Sequence, residues 1–340
     1  MTEPIQNTVQ LRFFELLKNS IPSTVSLPDE LMDLFNVGKD SAYRRIKGDT
    51  LLTLDEADLI CEHFNLPWGM LSSRAKNQVT FVYESFGVNE LDINGYLTSI
   101  IGNLEQLQKK PGIHIYFAAE FVPVFHHFGY DEMTAFKFFY WKKSIVNDKN
   151  LEGKKFEFKS ISEETLQLSK KALDLYRAIP STEIWNVETI NSTVMQVLYY
   201  WEAGLFQSKQ EALVICEQLR HMVEKIQEEA ETGTKKSGAA FNMYASDVMI
   251  GNNSVLGTAE NFKISLLTFN TFNSLTTTNT GFCEESEIWI NSLMKKSMLL
   301  SGVSEKQRLQ FFLKIFHVID QLKMKIENSG VILSLTPQLQ

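Results

Sequence analysis

Residues Ser26–Ile46 read SLPDELMDLFNVGKDSAYRRI, and this stretch decides the fold of the N-terminal part of the chain. Its apolar spacing predicts a short helix at about 27–35, a tight turn at 36–38 and a second short helix at 39–46. The inward-facing residues are expected to be Leu31, Leu34, Val37, Ala42 and Ile46. The last two stand four positions apart and therefore share one face of the second helix.

The opposite face of this second helix is polar and basic. Burial of Ala42 and Ile46 leaves Lys39, Asp40, Tyr43 and Arg44 toward solvent. The segment Lys39–Lys47 holds four cations against one acid, whereas residues 1–75 hold 7 Lys+Arg against 11 Asp+Glu. A helix of this kind fits the major groove of DNA, which is about 12 Å wide. A solvated face of a helical bundle is the alternative interpretation.

The residues on either side extend the helical pattern. Leu11, Phe14 and Leu17 recur at helical spacing, and Thr53 with Glu56 forms a capping box at the start of a further helix. Trp68 to Leu71 is expected to close the module. We therefore predict that residues 1–75 form an all-α domain of five short helices.

Residues 26–71 resemble the helix-turn-helix of λ-repressor/Cro-like regulators, particularly the BetR-type version. The matching run is Val37–Gly48, VGKDSAYRRIKG, followed by TLDEADLICEHFNLP at 53–67. Asn36 replaces the usual turn glycine, and asparagine tolerates the left-handed conformation. Met32 replaces the usual small residue between the helices.

This resemblance implies sequence-specific binding of double-stranded DNA through the second helix. It directs Lys39, Asp40, Tyr43 and Arg44 toward the bases. It directs Ser41, Arg45 and Lys47 toward the backbone phosphates.

Composition limits the class of protein. The chain has 340 residues and a net charge of −8, which argues against a protein that coats polyanions nonspecifically. Its three cysteines are too few and too scattered for a disulfide framework. No uninterrupted apolar stretch is long enough for a transmembrane helix, and the first residues lack a basic signal-peptide region. A cytoplasmic protein without membrane contact is expected.

Residues 76–340 predict a large α/β domain with a helical insertion. Short β-type runs at 79–83 and 113–117 alternate with helical patterns. Residues 160–231 are expected to be helical, 232–240 a flexible loop, and 241–340 an α/β end. Much of this region resembles the C-terminal part of uncharacterised Bacteroidetes-type regulators. A weaker likeness, around residues 248–253, is to non-catalytic phospholipase D-like sensor domains, and the HxK element is missing.

An aromatic run suggests a ligand pocket or a core. Eleven of the 39 aromatic residues fall between Tyr116 and Trp141. A pocket for a small-molecule effector would be lined by Tyr116, Phe121, Phe125, His126, His127 and Trp141. A large core between helix and sheet explains the same run. The histidines match no metal motif and no phosphate-binding loop is present, so neither a metal nor a cofactor is expected.

An apolar stripe at positions 212–230 bears on whether the chain forms a dimer. Positions 212, 216, 219, 223, 226 and 230 are apolar at 4-3-4-3-4 spacing, which fits either a short coiled coil or a helix packed on its own core. One short reading helix makes few contacts, and related regulators contact two half-sites about 34 Å apart. A homodimer is therefore expected.

These features together favour a non-enzymatic transcriptional regulator whose C-terminal domain dimerises and senses a ligand or partner. The alternative is an enzyme or defence-type effector that uses its helix-turn-helix for autoregulation or protein contact. Candidate polar groups for that alternative are Asp247 with Asn252-Asn253, and Glu120 with His126.

Overall fold

A computed structural model describes residues 9–21, 26–64, 66, 79–83, 92–269 and 273–329. The chain separates into two compact units, Met1–Val82 and Tyr83–Gln340. The predicted domain boundary at 75/76 and the predicted closing segment at 68–71 lie outside the described residues.

The N-terminal unit is helical, as predicted. Its described helices are α1 (Val9–Ser20), α2 (Leu27–Phe35), α3 (Lys39–Lys47) and α4 (Leu54–His63). The positions of α2, α3 and the turn between them confirm the prediction to within one residue. Asn36 ends α2 with φ 51° and ψ 51°, the left-handed conformation that the turn requires.

A small apolar core holds these helices together. Ala42 and Ile46 bring α3 into it, and Leu31 brings in α2. Leu34 and Val37 are only partly buried. The predicted capping box at the start of α4 is present, with the Thr53 hydroxyl accepting from the Glu56 amide and the Glu56 carboxylate accepting from the Thr53 amide.

The second unit is built on one eight-stranded mixed sheet. The strands are β1 (Val82–Tyr83), β2 (His114–Ala119), β3 (Ser181–Trp185), β4 (Phe241–Ala245), β5 (Ser254–Ala259), β6 (Phe262–Phe269), β7 (Asn273–Thr277) and β8 (Met298–Leu299). Their order is β1-β7-β6-β5-β2-β3-β4-β8. The central strands β2, β3 and β4 are parallel neighbours, and β5 to β7 extend the sheet antiparallel from β2. The predicted α/β class is confirmed at this level.

Eight helices accompany the sheet in the described residues. They are α5 (Ile93–Gln108), α6 (Val124–His127), α7 (Asp131–Tyr140), α8 (Glu163–Ala178), α9 (Asn191–Glu202), α10 (Lys209–Thr232), α11 (Thr280–Lys295) and α12 (Glu305–Asn328). Side chains of α7, α9, α10 and α12 share the largest core with Phe117, Trp185 and Phe241 of the sheet. Helix α11 packs on the other face, against Ala118 and Ile184.

Residues 160–231 are rich in helix, with α8, α9 and α10, but these helices do not form an insertion. Strand β3 interrupts the segment, and all five residues of β3 are buried. Its sequence, STEIW, is short and opens with polar residues, so it lacks the apolar run that usually marks a central parallel strand. The helices around β3 are therefore the ordinary crossovers that link β2, β3 and β4.

The segment 232–240, predicted as a flexible loop, is a hydrogen-bonded turn. Thr234 and Ala240 form an isolated bridge. Lys235 is only 4% exposed, and its Nζ donates to the carbonyl oxygens of Tyr176 at 2.9 Å and Ile179 at 2.7 Å. The composition of glycine, serine and lysine gave no sign of this buried anchor.

Candidate functional site

Helix α3 presents one clearly polar side to solvent. It starts after the extended residue Gly38 and ends at Gly48, whose φ of 81° turns the chain away from the helix. A Cβ atom at position 48 would also approach the Leu11 side chain at 3.2 Å. Glycine therefore fixes the point at which α3 stops.

Five of the seven predicted DNA-contacting residues lie exposed on this helix. They are Lys39, Asp40, Tyr43, Arg44 and Lys47. Their positions fall within about 140° of the helix circumference, and Ala42 and Ile46 lie outside this arc. The Tyr43 side chain is 42% exposed although it is aromatic. The arrangement gives three cations, one carboxylate and one phenol on a single convex face.

Arg45 and Ser41, which the resemblance directs to phosphates, are engaged within the unit instead. The Arg45 guanidinium lies 2.7 Å from the Glu56 carboxylate and donates to the Ser41 hydroxyl at 2.6 Å. It also lies over the Phe35 ring. Only 15% of the Arg45 side chain is exposed. The ion pair between Arg45 and Glu56 therefore links α3 to α4.

The Glu56 carboxylate both caps α4 and pairs with Arg45. One oxygen caps α4 through the Thr53 amide and the other accepts from Arg45. Partial burial opposes the charged form, but the hydrogen bonds from Arg45 and Thr53 and the Arg45 charge outweigh it, so the pKa of Glu56 is lowered.

Gln10 fixes the other end of α3, and sequence reasoning missed it. Its Nε2 donates to the carbonyl oxygens of Arg45 and Thr50, each at 2.7 Å, and its Oε1 accepts from the Leu52 amide at 3.0 Å. A glutamine on an amphipathic helix carries no sequence signal for contacts that span 35 to 42 residues.

The six predicted ligand-pocket residues are not brought together. Tyr116 lies on the sheet face that α11 covers. Phe125 stacks on Tyr176 at 4.3 Å between ring centres, and Trp141 packs edge-on against Tyr96 at 5.4 Å. The Phe121 amide donates to the Asn253 side chain. The aromatic run therefore builds the core, the alternative that the sequence left open.

His126 belongs to a buried polar cluster around Glu183. The fully buried Glu183 carboxylate accepts from Tyr176 at 2.6 Å, from Trp185 at 2.8 Å and contacts His126 Nε2 at 2.9 Å. Burial raises the pKa of this carboxyl, but the charge and hydrogen bond of His126, the Tyr176 hydroxyl and the charge of Lys235 lower it further than burial raises it. Glu183 therefore holds its negative charge inside the unit.

His127 belongs to a neighbouring cluster. Its Nε2 lies 3.3 Å from the Thr193 hydroxyl, which also contacts Lys137 Nζ at 3.4 Å. Lys137 donates to Gln196 Oε1 at 2.7 Å. Desolvation lowers the pKa of Lys137 to about 7 and that of His127 well below its ordinary value. The hydrogen-bond partners of the buried Lys137, Thr193 and Gln196, are thus both uncharged.

The polar groups proposed for an enzyme alternative do not assemble. His126 pairs with Glu183 and not with Glu120. Asn253 accepts from the Phe121 amide, and the Asn252 amide donates to the Thr268 carbonyl. Across the described residues, no group of three His, Cys, Asp or Glu side chains is placed to hold a metal ion.

Two open grooves are present elsewhere. One, of about 590 Å³, follows α8 from Gln167 to Ala178, and the other, of about 250 Å³, lies between α11 and strands β5 and β6. Neither contains a residue of the predicted ligand pocket.

The apolar stripe on α10 packs inside its own unit. Its members Ala212, Cys216, Leu219, Val223, Ile226 and Ala230 are all at most 2% exposed. They belong to the core shared with α12, so this stripe is not available as a coiled-coil seam between two copies.

No family model, curated protein or solved structure matches the chain. Within the described part of the chain, none of the helices has both the length and the apolar character needed to cross a bilayer.

Proposed function

We propose that the chain is a sequence-specific DNA-binding transcriptional regulator that reads its operator with α3. The observation that carries the proposal is the exposed face of α3, where Lys39, Tyr43, Arg44 and Lys47 project from a short helix anchored by Ala42 and Ile46. The short helices α2 and α3 are joined by a three-residue turn that includes the left-handed Asn36, an arrangement that is compatible with a helix-turn-helix. In this role α3 lies in the major groove.

The contacts within the unit refine the roles that the resemblance implies. Arg44 and Lys39 are the cations free to approach base edges, where arginine binds guanine through two hydrogen bonds. Asp40 is suited to accept from cytosine, and Lys47 contacts phosphate. Arg45 takes a positioning role because Glu56 and Ser41 already engage it.

The α/β unit is proposed to mediate dimerisation and recognition of a ligand or partner. Two copies would place two α3 helices in successive major grooves, about 34 Å apart. Sedimentation of the full chain with and without a two-half-site operator tests this part. A monomer in both conditions would contradict dimerisation and leave the reading role of α3 in place.

Replacement of Arg44 tests the DNA-binding role. Operators are first selected from random duplexes with the full chain, and affinities are then measured by fluorescence anisotropy. Arg44→Ala is expected to weaken operator binding by about 1–3 kcal/mol, or roughly 5- to 150-fold, and to reduce discrimination at one base position.

The matched control is Lys306→Ala, which removes one exposed cation from α12. It should bind the operator as the wild type does. Equal affinities for wild type and Arg44→Ala, or no selectable operator at all, would overturn the proposed function.

A further inference from the structure

A second basic stretch lies in the α/β unit, between α7 and α8. Residues 142–159 contain six lysines and three acids, a net charge of +3. The stretch Lys39–Lys47 carries the same net charge, in a chain whose total is −8. Outside these two stretches the chain therefore carries −14.

The C-terminal part of this stretch, residues 147–159, is here named the basic loop, and it contains four lysines and three acids. Its exposed side chains include four lysines, Lys149, Lys154, Lys155 and Lys159. The other exposed positions are asparagine, glutamate or glycine, so no apolar side chain of the basic loop faces solvent. Asp148 is buried and lies 4.0 Å from Lys142, and its carboxylate accepts from the Asn150 amide.

The apolar residues of the basic loop point inward and hold it in place. Phe156 is fully buried, and Leu151 and Phe158 pack against the same large core. The Phe156 amide donates to the Leu205 carbonyl at 2.7 Å, and its carbonyl accepts from the Gln207 amide at 3.3 Å. Lys143 Nζ donates to the Leu151 carbonyl at 2.6 Å. The four lysines are therefore displayed on an anchored backbone, which reduces the ordering entropy lost on binding.

We propose that the basic loop is a second DNA-contacting surface, which binds backbone phosphates without reading bases. The inference rests on the proposed function, because α3 is what brings the chain to duplex DNA. Lysine is a point-charge partner for phosphate. The regular structure of the basic loop is limited to two short 3-10 turns, at Lys149–Leu151 and from Phe158, whereas base reading in the major groove uses an α-helix or a two-stranded ribbon. A bilayer is a poorer fit, because membrane-surface segments present several exposed apolar side chains, whereas Ile145 is the one exposed apolar side chain in residues 142–159.

The test replaces all four lysines together, as K149Q/K154Q/K155Q/K159Q, in the full chain. Each phosphate contact adds about −0.9 to the slope of log K against log salt concentration. The variant should bind the selected operator more weakly, with a slope shallower by about 2 to 4. Its ratio of operator to nonspecific affinity should stay at the wild-type value.

Two matched variants separate local from general effects. K295Q/K296Q/K306Q/K314Q removes the same charge from exposed positions elsewhere in the unit and should keep the wild-type slope. K149R/K154R/K155R/K159R keeps the charge and should keep the affinity. Thermal unfolding should be alike for all three variants, because every replaced side chain is exposed.

Each other outcome is decisive. A wild-type slope in the basic-loop variant, together with a loss in Arg44→Ala, overturns this inference and leaves the proposed function standing. An equal slope change in the control variant also overturns it, because net charge then explains the effect. Binding to phosphatidylserine vesicles that the basic-loop variant loses while it keeps DNA affinity would assign the surface to membranes and overturn it. Failure of Arg44→Ala to weaken binding overturns the proposed function itself.

Discussion

In the N-terminal unit three of the four cations of α3, Lys39, Arg44 and Lys47, lie on the surface. In the α/β unit Glu183, Lys137 and Lys235 lie within the core, each at most 6% exposed. The surface cations have water as a partner and leave the fold intact when they are removed. The buried groups depend on a few hydrogen bonds that no solvent can replace. The exposed charges of α3 are therefore available for binding, whereas the three buried charges of the α/β unit are part of its packed interior.

The largest expected effect is on the buried side of this comparison. Glu183→Ala would leave the Tyr176 hydroxyl and the Trp185 indole without their acceptor and the His126 ring without its carboxylate partner. It would also leave the charge of Lys235 uncompensated. Loss of one partner from a buried charge cluster typically costs about 3–5 kcal/mol. Denaturant unfolding of the full chain, followed by the fluorescence of its tryptophans, measures this loss.

Glu188→Ala is the matched control for that measurement. Glu188 lies three residues beyond the end of β3 and is exposed. Its replacement should change the free energy of unfolding by less than about 0.5 kcal/mol. Similar small effects for both variants would show that the Glu183 cluster does not contribute to stability.

A second prediction concerns the pH dependence that Lys137 imposes. Burial lowers its pKa from 10.5 to about 7, so between these values the unfolded chain binds a proton that the folded chain lacks. Stability from this group therefore rises with pH across that range, by at most about 1.4 kcal/mol per pH unit. Lys137→Met should remove this contribution from the stability profile.

An exposed lysine provides the control for Lys137→Met. Lys314 on α12 is exposed, and Lys314→Met should reproduce the wild-type profile between pH 7 and 10.5. A Lys137→Met profile parallel to the wild type would mean that Lys137 keeps its proton in the folded state.

The smallest expected effect on stability concerns Glu56, a partly exposed carboxylate that pairs with Arg45. Its lowered pKa gives stability that is present above the ordinary glutamate value of 4.5 and is lost as pH falls through the lowered pKa. Glu56→Gln should remove this acid-sensitive part and destabilise the unit by up to about 1 kcal/mol at neutral pH.

The same substitution should also change DNA binding. With Glu56 neutral, Arg45 becomes available to phosphate, and the salt slope should steepen by up to about 0.9. Glu62→Gln, at an exposed position of the same helix, is the control for both readouts. A Glu56→Gln protein with the wild-type slope would show that Arg45 keeps its place without the ion pair.

Local signals made the first unit predictable. Helices α2 and α3, the left-handed Asn36 and the capping box at Thr53 all depend on residues within a few positions of one another. At the start of α8, in the second unit, local spacing is ambiguous, because Ser160 has Glu163 three residues later but Ser162 is the residue that caps the helix. Two serines at this spacing compete for the same role, and only the folded chain selects between them.

Long-range contacts made the second unit harder to predict. The Glu183 cluster joins residues up to 57 positions apart, and nothing near Glu183 in sequence marks it as buried. The predicted apolar spacing along α10 was correct. The spacing alone does not distinguish a stripe covered by α12 of the same chain from one covered by a second chain. The predicted pocket was dispersed because an aromatic run on β2, α6 and α7 contributes to three separate cores.

The Gln10 side chain contacts the backbone of α3 at Arg45 and the backbone after α3 at Thr50 and Leu52, with a group that never ionises. Ionic strength and pH act on the exposed cations around it and leave these neutral contacts unchanged. If α3 binds DNA as proposed, the strength of binding should vary with salt concentration while the position of the helix stays constant. Tuning of that affinity to another ionic strength would then require changes in surface charge alone.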